Sequence, residues 1–560
     1  MGKLGFNKGA NKLKDRVDAR ITHEGGVAFE PVTATTKLIA TIGSYFGEPG
    51  FYPDKAVVST TTFNAGVLDE KGTNIVNAAI EVATSDEPED LLRIAHWARK
   101  DLKVRLAPQI LLAVAARYIK GTAGGTENPV TRYVSKICAR ADDVKQLWAL
   151  YNALFGVRGT GSKNYFRAKM PRSLIKGIAL ALSGYSDYSL IKYNNTTNHP
   201  TFKDVLLGLK PSKGKTKSGK AGIPVPKRFR KEGGFPVSKG MFDYLVNGKT
   251  GENSPAMIKA RAKFFALPKD TTIDASVTDL VKSAGLTWDN LVSHFGHTTS
   301  DARKKEVWTT AFDLMPYMAK LRNLRNALES GVCGVGDMSA KLAKPDAVTK
   351  SKQLPFRFFS AYREVGKLEG VDAFEMNAVA QNLSIALDNS TVNLPTLSGR
   401  TAVFIDNSGS MDWANISEKS TVTCREAGNT LGAIVYKATD NAVVMPFGNF
   451  PVVANVLKNN AVLSNAKEIG AHTATHGYGT DIAKCIEYLR TNSIKVDRII
   501  ILTDNESRGD PGQSLRNYRS SINPKVFYHG VNLAATSYAV VPSTDQRVNL
   551  VSGFSEKIID

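Results

Sequence analysis

"TAVFIDNSGS" (residues 401–410) joins an apolar run to a carboxylate and two hydroxyls at alternate positions, Asp406, Ser408 and Ser410. A strand that is apolar on both faces belongs inside a parallel sheet covered on both sides. Such an open sheet places its sites beyond the carboxyl ends of its strands. The rest of the C-terminal third keeps the same grammar. The apolar runs AVVMPF (442–447), RIIILT (498–503) and KVFYHGV (525–531) alternate with helical segments near 419–435, at DIAKCIEYLR (481–490) and at SLRNYRSS (514–521). That alternation predicts an α/β doubly wound, Rossmann-like domain over 396–560.

Two further loops of this domain carry matching chemistry. Asp504 directly follows RIIILT, and HGYGTDIAKC (476–485) sets Thr480 just before a helix. Taken alone, D-x-S-x-S is what helix caps and turns also look like. Joined by Thr480 and Asp504 in that order, it reads as an all-oxygen site. Two carboxylates and three hydroxyls suit a hard divalent cation, most simply Mg²⁺, and leave coordination positions open to water or to an incoming carboxylate or phosphate. His472 and His476 stand four apart, a zinc-like spacing on a helix, but the Thr and Gly around them predict a loop.

Upstream, residues 85–330 read as helix after helix. SDEPEDLLRIAHWARKDL (85–102) offers Ser85 or Asp86 as a cap and sets Leu91, Ile94, Trp97, Ala98 and Leu102 on one face; a second helix is expected after a break at Pro108. DDVKQLWALYNALFG (142–156) forms a stripe of Val144, Leu147, Trp148, Tyr151, Leu154 and Phe155 that Gly156 stops. Leu314, Tyr317, Met318, Leu321, Leu324 and Leu328 trace another face, ending at Gly331. Such faces need neighbours, and stacked helix pairs of the solenoid kind supply them. DNSTVNLPTLSGR (388–400) reads as a linker, which divides the chain into 1–395 and 396–560.

Charge separates the two parts further. The net charge is +21, yet 396–560 holds 16 basic and 15 acidic residues, so an excess of about +20 belongs to 1–395. A field of that sign favours a polyanion. KNYFRAKMPRSLIKGIALAL (163–182) supplies Lys163, Arg167, Lys169, Arg172 and Lys176, with Lys192, His199, Lys203 and Lys210 following. Arg172 and Lys176 share one helix face and can track a phosphate backbone. The stretch 210–231 holds nine Lys or Arg and no acid, and reads as a mobile basic loop. Most residues of these kinds do no more than solvate a surface.

Several function classes are disfavoured. Four scattered cysteines, Cys138, Cys333, Cys424 and Cys485, indicate neither a zinc ribbon nor a disulfide framework, and fit a reducing cytoplasm. No apolar stretch reaches membrane-spanning length, and the basic start has no signal-peptide core. There is no G-x-x-x-x-G-K-[ST], no nucleophile and base pair, and no second pair of acids for two-metal hydrolysis, so binding rather than catalysis is expected.

With these residues in place, the order Asp406, Ser408, Ser410, Thr480, Asp504 resembles the metal-ion-dependent adhesion site of von Willebrand factor A domains. "VFIDNSGSM" and "IILTDNES" behind a long helical region resemble the Ro autoantigen (60 kDa SS-A/Ro ribonucleoprotein) family, in which a TROVE domain precedes such a domain. "FKDVLLGLKP", "EVWTTAFDLMPYMAKLRNL" and "LPFRFFSAYREV" resemble stretches of that family in the same order, so the likeness runs from "IGSYFGEPGFY" to the C-terminus. The family's GGTD reads GYGTD here. Phe202 stands where a histidine is expected, and the resemblance passes that RNA contact to His199, the nearest one.

The resemblance implies an all-α ring of HEAT-like helical repeats with a basic central hole, completed by the A-type domain. It implies Y-type noncoding RNA on the outer basic surface and single-stranded ends of misfolded RNA through the hole. The expected role is noncoding RNA quality control, with an exoribonuclease as a further partner and without DNA or membrane. The competing expectation is a metal-dependent scaffold that captures a protein ligand at the metal site and has no RNA function.

Overall fold

The computed structural model describes the chain except 1–17, 23, 31–32, 44–62, 121–127, 159–165, 195–199, 210–235, 253, 298, 417–420, 535–537, 543–546 and 553–560. Among the described residues the strands are β1 (Asp18–Ile21), β2 (Val27–Glu30), β3 (Val157–Arg158), β4 (Phe166–Arg167), β5 (Leu397–Asp406), β6 (Thr439–Phe447), β7 (Arg498–Thr503), β8 (Phe527–Asn532) and β9 (Val548–Ser552). The chain forms two compact units, Gly47–Leu314 and Met1–Phe46 with Met315–Asp560. Their limits lie elsewhere than the 395/396 division read from composition.

The unit Gly47–Leu314 is helical apart from the short β3–β4 hairpin. Its centre is helix Leu106–Tyr118, in which every residue from Leu106 to Ala116 is buried. A helix apolar all round needs neighbours all round, and helices Glu70–Ala83, Asp90–Lys100, Pro129–Ile137 and Ala141–Phe155 surround it. Pro108 lies in its first turn, where the missing N–H costs nothing, so the expected break falls two residues earlier. Gly156 caps Ala141–Phe155 as expected. One buried carboxylate ties this core together: Asp143 accepts from Arg99 at 2.8 Å, Arg105 at 2.9 Å, Gln109 at 3.3 Å and the Arg140 backbone N–H at 3.0 Å. Fully paired, that charge is tolerated in the interior; removing both arginines would leave it uncompensated.

The stripe expected from Leu314 to Leu328 is in fact two helices, Asp301–Leu314 and Tyr317–Glu329, parted before Pro316 because proline removes a helical donor and restricts the residue ahead of it. The segment 388–400 is likewise not a linker. Helix Ala373–Asn389 continues into a 3₁₀ turn, Ser390–Asn393, whose Ser390 is fully buried, and β5 starts at Leu397.

The sheet of the second unit has the order β6-β5-β7-β8-β9, parallel throughout. Phe404, Met445, Ile499, Ile501 and Tyr528 pack on one face against Ile482, Ile486 and Leu489 of helix Ile482–Thr491 and against Leu515 and Tyr518 of helix Pro511–Ser521. Helix Cys424–Ala438 lies on the opposite face, where a Cβ at Gly432 would fall 2.7 Å from Ile405 Cγ1, so glycine permits the close approach. The sheet is therefore doubly wound, as expected. β5 is flanked by β6 and β7, so the chain winds outward in opposite directions from β5, and the crevice at that switch point opens beyond the ends of β5 and β7.

Candidate metal centre and nucleic-acid interface

Asp406 ends β5 and Asp504 follows the last residue of β7, so both carboxylates stand at the switch point. The register Ile405↔Leu502 brings Thr503 beside Asp406, and the Thr503 hydroxyl donates to Asp406 Oδ2 at 2.7 Å. Asp406 Oδ1 accepts from the Ser408 backbone N–H at 2.9 Å, and Ser408 and Ser410 hydroxyls lie 3.2 Å apart. Ser410 also hydrogen-bonds to Asp504, whose Oδ1 takes the Glu506 N–H at 3.0 Å. Asp406, Ser408, Thr480 and Asp504 are buried, while Ser410 is exposed at the mouth.

The Thr480 loop runs between the other two. Tyr478 O accepts from Gly409 N at 3.0 Å, and Thr480 O accepts from Arg508 N at 3.0 Å. All five expected donors thus come from three loops knit together by backbone hydrogen bonds.

The electrostatics of this cluster call for a positive charge. Burial, and then the nearby Asp504, push the Asp406 carboxyl up to about 7; burial raises Asp504 as well. Two arginines beside these loops are engaged elsewhere: Arg425 pairs with Asp412 at 2.7 Å and donates to Asn407 O, and Arg508 pairs with Glu24 at 2.7 Å. Two buried carboxylates that accept from hydroxyls and backbone N–H groups, with Glu506 adding to the negative charge near Asp504, favour sharing a proton or taking up a cation. An all-oxygen set with two acids and open positions fits Mg²⁺ and fits zinc poorly.

The histidines do not join it. His472 and His476 lie in and beside a short helix, Thr473–His476, rather than the expected loop. His472 Nε2 meets Glu468 at 3.3 Å, and the buried His476 turns Nδ1 to Gly477 O at 2.8 Å. Among the described residues no group of three or more His, Cys, Asp or Glu is placed to hold a metal. Sequence reasoning missed Thr503, although strand register alone places it beside Asp406.

The basic residues occupy the other unit. Arg172 opens helix Arg172–Gly184 and Lys176 follows one turn later. Together with Arg117, Lys120, Asn128, Thr131 and Ser173 they line an open cavity of about 430 Å³ whose walls, among the described residues, carry no carboxylate. Arg117 and Lys120, from the end of the central helix and just beyond it, were not foreseen; their spacing alone carries no signal. Thr131 holds the two remaining walls together by donating to Ser173 O at 3.1 Å.

Of the other expected contacts, Lys169, Lys192 and Lys203 are exposed, and Lys192 lies 5.7 Å from the Tyr188 ring centre and 5.6 Å from that of Tyr193. Arg167 lies in β4. Lys163, His199, Lys210 and the basic stretch 210–231 fall outside the described residues.

Residues 400–560 match the Ro60 vWA domain, and residues 283–423 match the TROVE domain. Telomerase protein component 1 of Mus musculus is 25% identical over 374 residues, which is 58% of this chain and 13% of that protein. Its counterpart from Rattus norvegicus is 24% identical over 313 residues, 50% of this chain and 11% of that protein. The chain therefore spans only a small part of the length of these curated relatives. The crystal structure of the Deinococcus radiodurans RO (RSR) protein superposes with a TM-score of 0.63 at 17% identity, over 94% of this chain and 98% of that chain, so the two share a fold.

Proposed function

We propose, taking as premise that this chain is a Ro60-type protein with TROVE and vWA domains, that it is an RNA-binding ribonucleoprotein component. It binds small noncoding RNA of the Y type on the basic face of unit Gly47–Leu314, engages single-stranded ends of misfolded RNA, and serves noncoding RNA quality control in the cytoplasm, handing RNA to an exoribonuclease. It acts by holding RNA and breaks no bond. The vWA domain holds Mg²⁺ through Asp406, Ser408, Ser410, Thr480 and Asp504, with the open coordination positions left to water or to the carboxylate of a protein ligand.

The observation that carries this reading is the convergence of Arg117, Lys120, Arg172 and Lys176 on one cavity. Side chains of this kind neutralise phosphates and release counterions, so binding weakens with salt in proportion to the number of phosphates held. Filter binding of a structured small RNA across a salt series tests it. A steep negative slope of log affinity on log salt, unchanged by EDTA, supports the RNA clamp. No RNA binding, together with capture of a protein ligand that EDTA reverses, would establish the metal-dependent scaffold instead.

A further inference from the structure

The loop that carries Asp504 is gripped by a hairpin almost five hundred residues away in sequence. β1 and β2 pair antiparallel through Asp18↔Glu30 to Ile21↔Val27, and the turn between them lies on residues 507–509. Buried Thr22 donates its hydroxyl to Ser507 O at 2.7 Å and accepts from Gly26 N at 2.9 Å with the same oxygen. Val27 N donates to Gly509 O at 3.0 Å, and Arg508 Nε reaches Glu24 at 2.7 Å. Phe29 and Ala539 exchange backbone hydrogen bonds of 2.8 and 3.1 Å. The fit at Gly26 is tight enough that a Cβ there would lie 2.1 Å from Ser507 O.

Residues 507–509 are also the point where the donor loops meet. Ser507 Oγ accepts from Ile482 N and Arg508 N donates to Thr480 O, each at 3.0 Å, so this span holds the Thr480 loop. Three residues earlier is Asp504, and between them Asn505 is kept in the left-handed region, φ +67°, with its amide donating to Tyr538 O at 2.8 Å. A non-glycine residue holds that conformation only where its surroundings enforce it. The hairpin thus braces from outside a loop whose shape sets the separation of Asp504 and Thr480.

We infer that hairpin 18–30 is a positioning element of the oxygen-donor site, with Thr22, Glu24 and Gly26 as positioning residues, so that hairpin docking and divalent-cation binding reinforce one another. The inference rests on the metal reading given above. Linkage makes it quantitative: if docking strengthens cation affinity by some factor, the cation must strengthen docking by the same factor.

The test uses the full chain and MgCl₂ alone. Isothermal titration should show Mg²⁺ affinity reduced about threefold to tenfold in Thr22→Val, the range expected for losing one buried hydrogen bond. Gly26→Ala, in which the new Cβ meets Ser507 O, should lose at least as much, and Thr22→Ser should restore it. In wild-type protein, Mg²⁺ should raise hydrogen-exchange protection of the Val27 and Phe29 amides by a matching factor and leave amides of helix Pro129–Ile137 unchanged. If wild type binds Mg²⁺ while folded Thr22→Val binds equally well and hairpin exchange does not respond, the coupling is refuted and the metal reading stands. If wild type takes up no Mg²⁺, both fall.

Discussion

The two candidate sites are opposites in how they use charge. The oxygen-donor site buries two carboxylates at the ends of adjacent parallel strands and surrounds them with hydroxyls and backbone N–H groups, in a domain that is nearly neutral overall. The basic cavity leaves arginine and lysine side chains at the surface, supported by helices packed around one that is buried from Leu106 to Ala116, in the part of the chain that carries the positive excess. In the first, position is fixed by register and each atom matters. In the second, the sum of charges matters more than the placement of any one, because phosphates are spaced along a flexible polymer. The first should respond to single-atom changes and to protons, the second to charge reversal and salt.

The sharpest way to break that contrast is Asp406→Ala. It removes the carboxylate whose two oxygens organise Ser408 and Thr503, and should abolish measurable Mg²⁺ binding by calorimetry. RNA affinity in filter binding should stay within about twofold, since changes at independent sites do not couple. Collapse of RNA binding in a folded variant would show that the sites are one system. Next in size is the reverse experiment. Arg172→Glu with Lys176→Glu puts two negative charges into the basic cavity, and RNA affinity should fall about tenfold or more with a shallower salt slope. Mg²⁺ binding should be unaltered. Unchanged RNA affinity would remove this face from the interface.

Much of the donor site was legible in the sequence because it lies at strand ends, where an apolar run stopping at a carboxylate reports both topology and position. RIIILT became β7 residue for residue, and Asp406 closes β5. The partner that Asp406 uses, Thr503, was legible only through strand register, which depends on which strands are neighbours. Edge strand β9 and hairpin β1–β2 were missed because short strands with weak alternation look like loops until a neighbour supplies the other half of the ladder. The same limit explains the helical errors. Pro316 divides a stripe that periodicity alone runs together, and 388–400 looks like a linker by composition although packing orders it. Arg117 and Lys120 join Arg172 and Lys176 only by the packing of helices distant in sequence, which no local pattern encodes.

The smallest effect is the one that separates the sites by chemistry rather than by mutation. Asp406 is raised from 3.8 to about 7, chiefly by burial and then by the charge on Asp504. A carboxyl raised on folding takes up a proton in the folded state, so the stability it contributes is present at acidic pH and is lost as pH rises from its ordinary value through about 7. This is the reverse of the usual paired carboxylate. His529 pulls the other way: burial lowers it to about 4, so its share of stability is lost as pH falls below its ordinary 6.5. Thermal melts in EDTA at pH 5.5 and 7.5 should therefore be compared between wild type and Asp406→Asn, which removes the Asp406 contribution and its coupling to Asp504 while leaving that of His529. The variant should lose the part of the decline that appears on raising the pH. Because the cation must displace the same proton, wild-type Mg²⁺ affinity should fall about fourfold between pH 8 and 6.5, while RNA affinity through arginines and lysines stays level. An Mg²⁺ affinity flat across that range would mean that Asp406 is already ionised in the folded protein and that its surroundings compensate its charge without a metal.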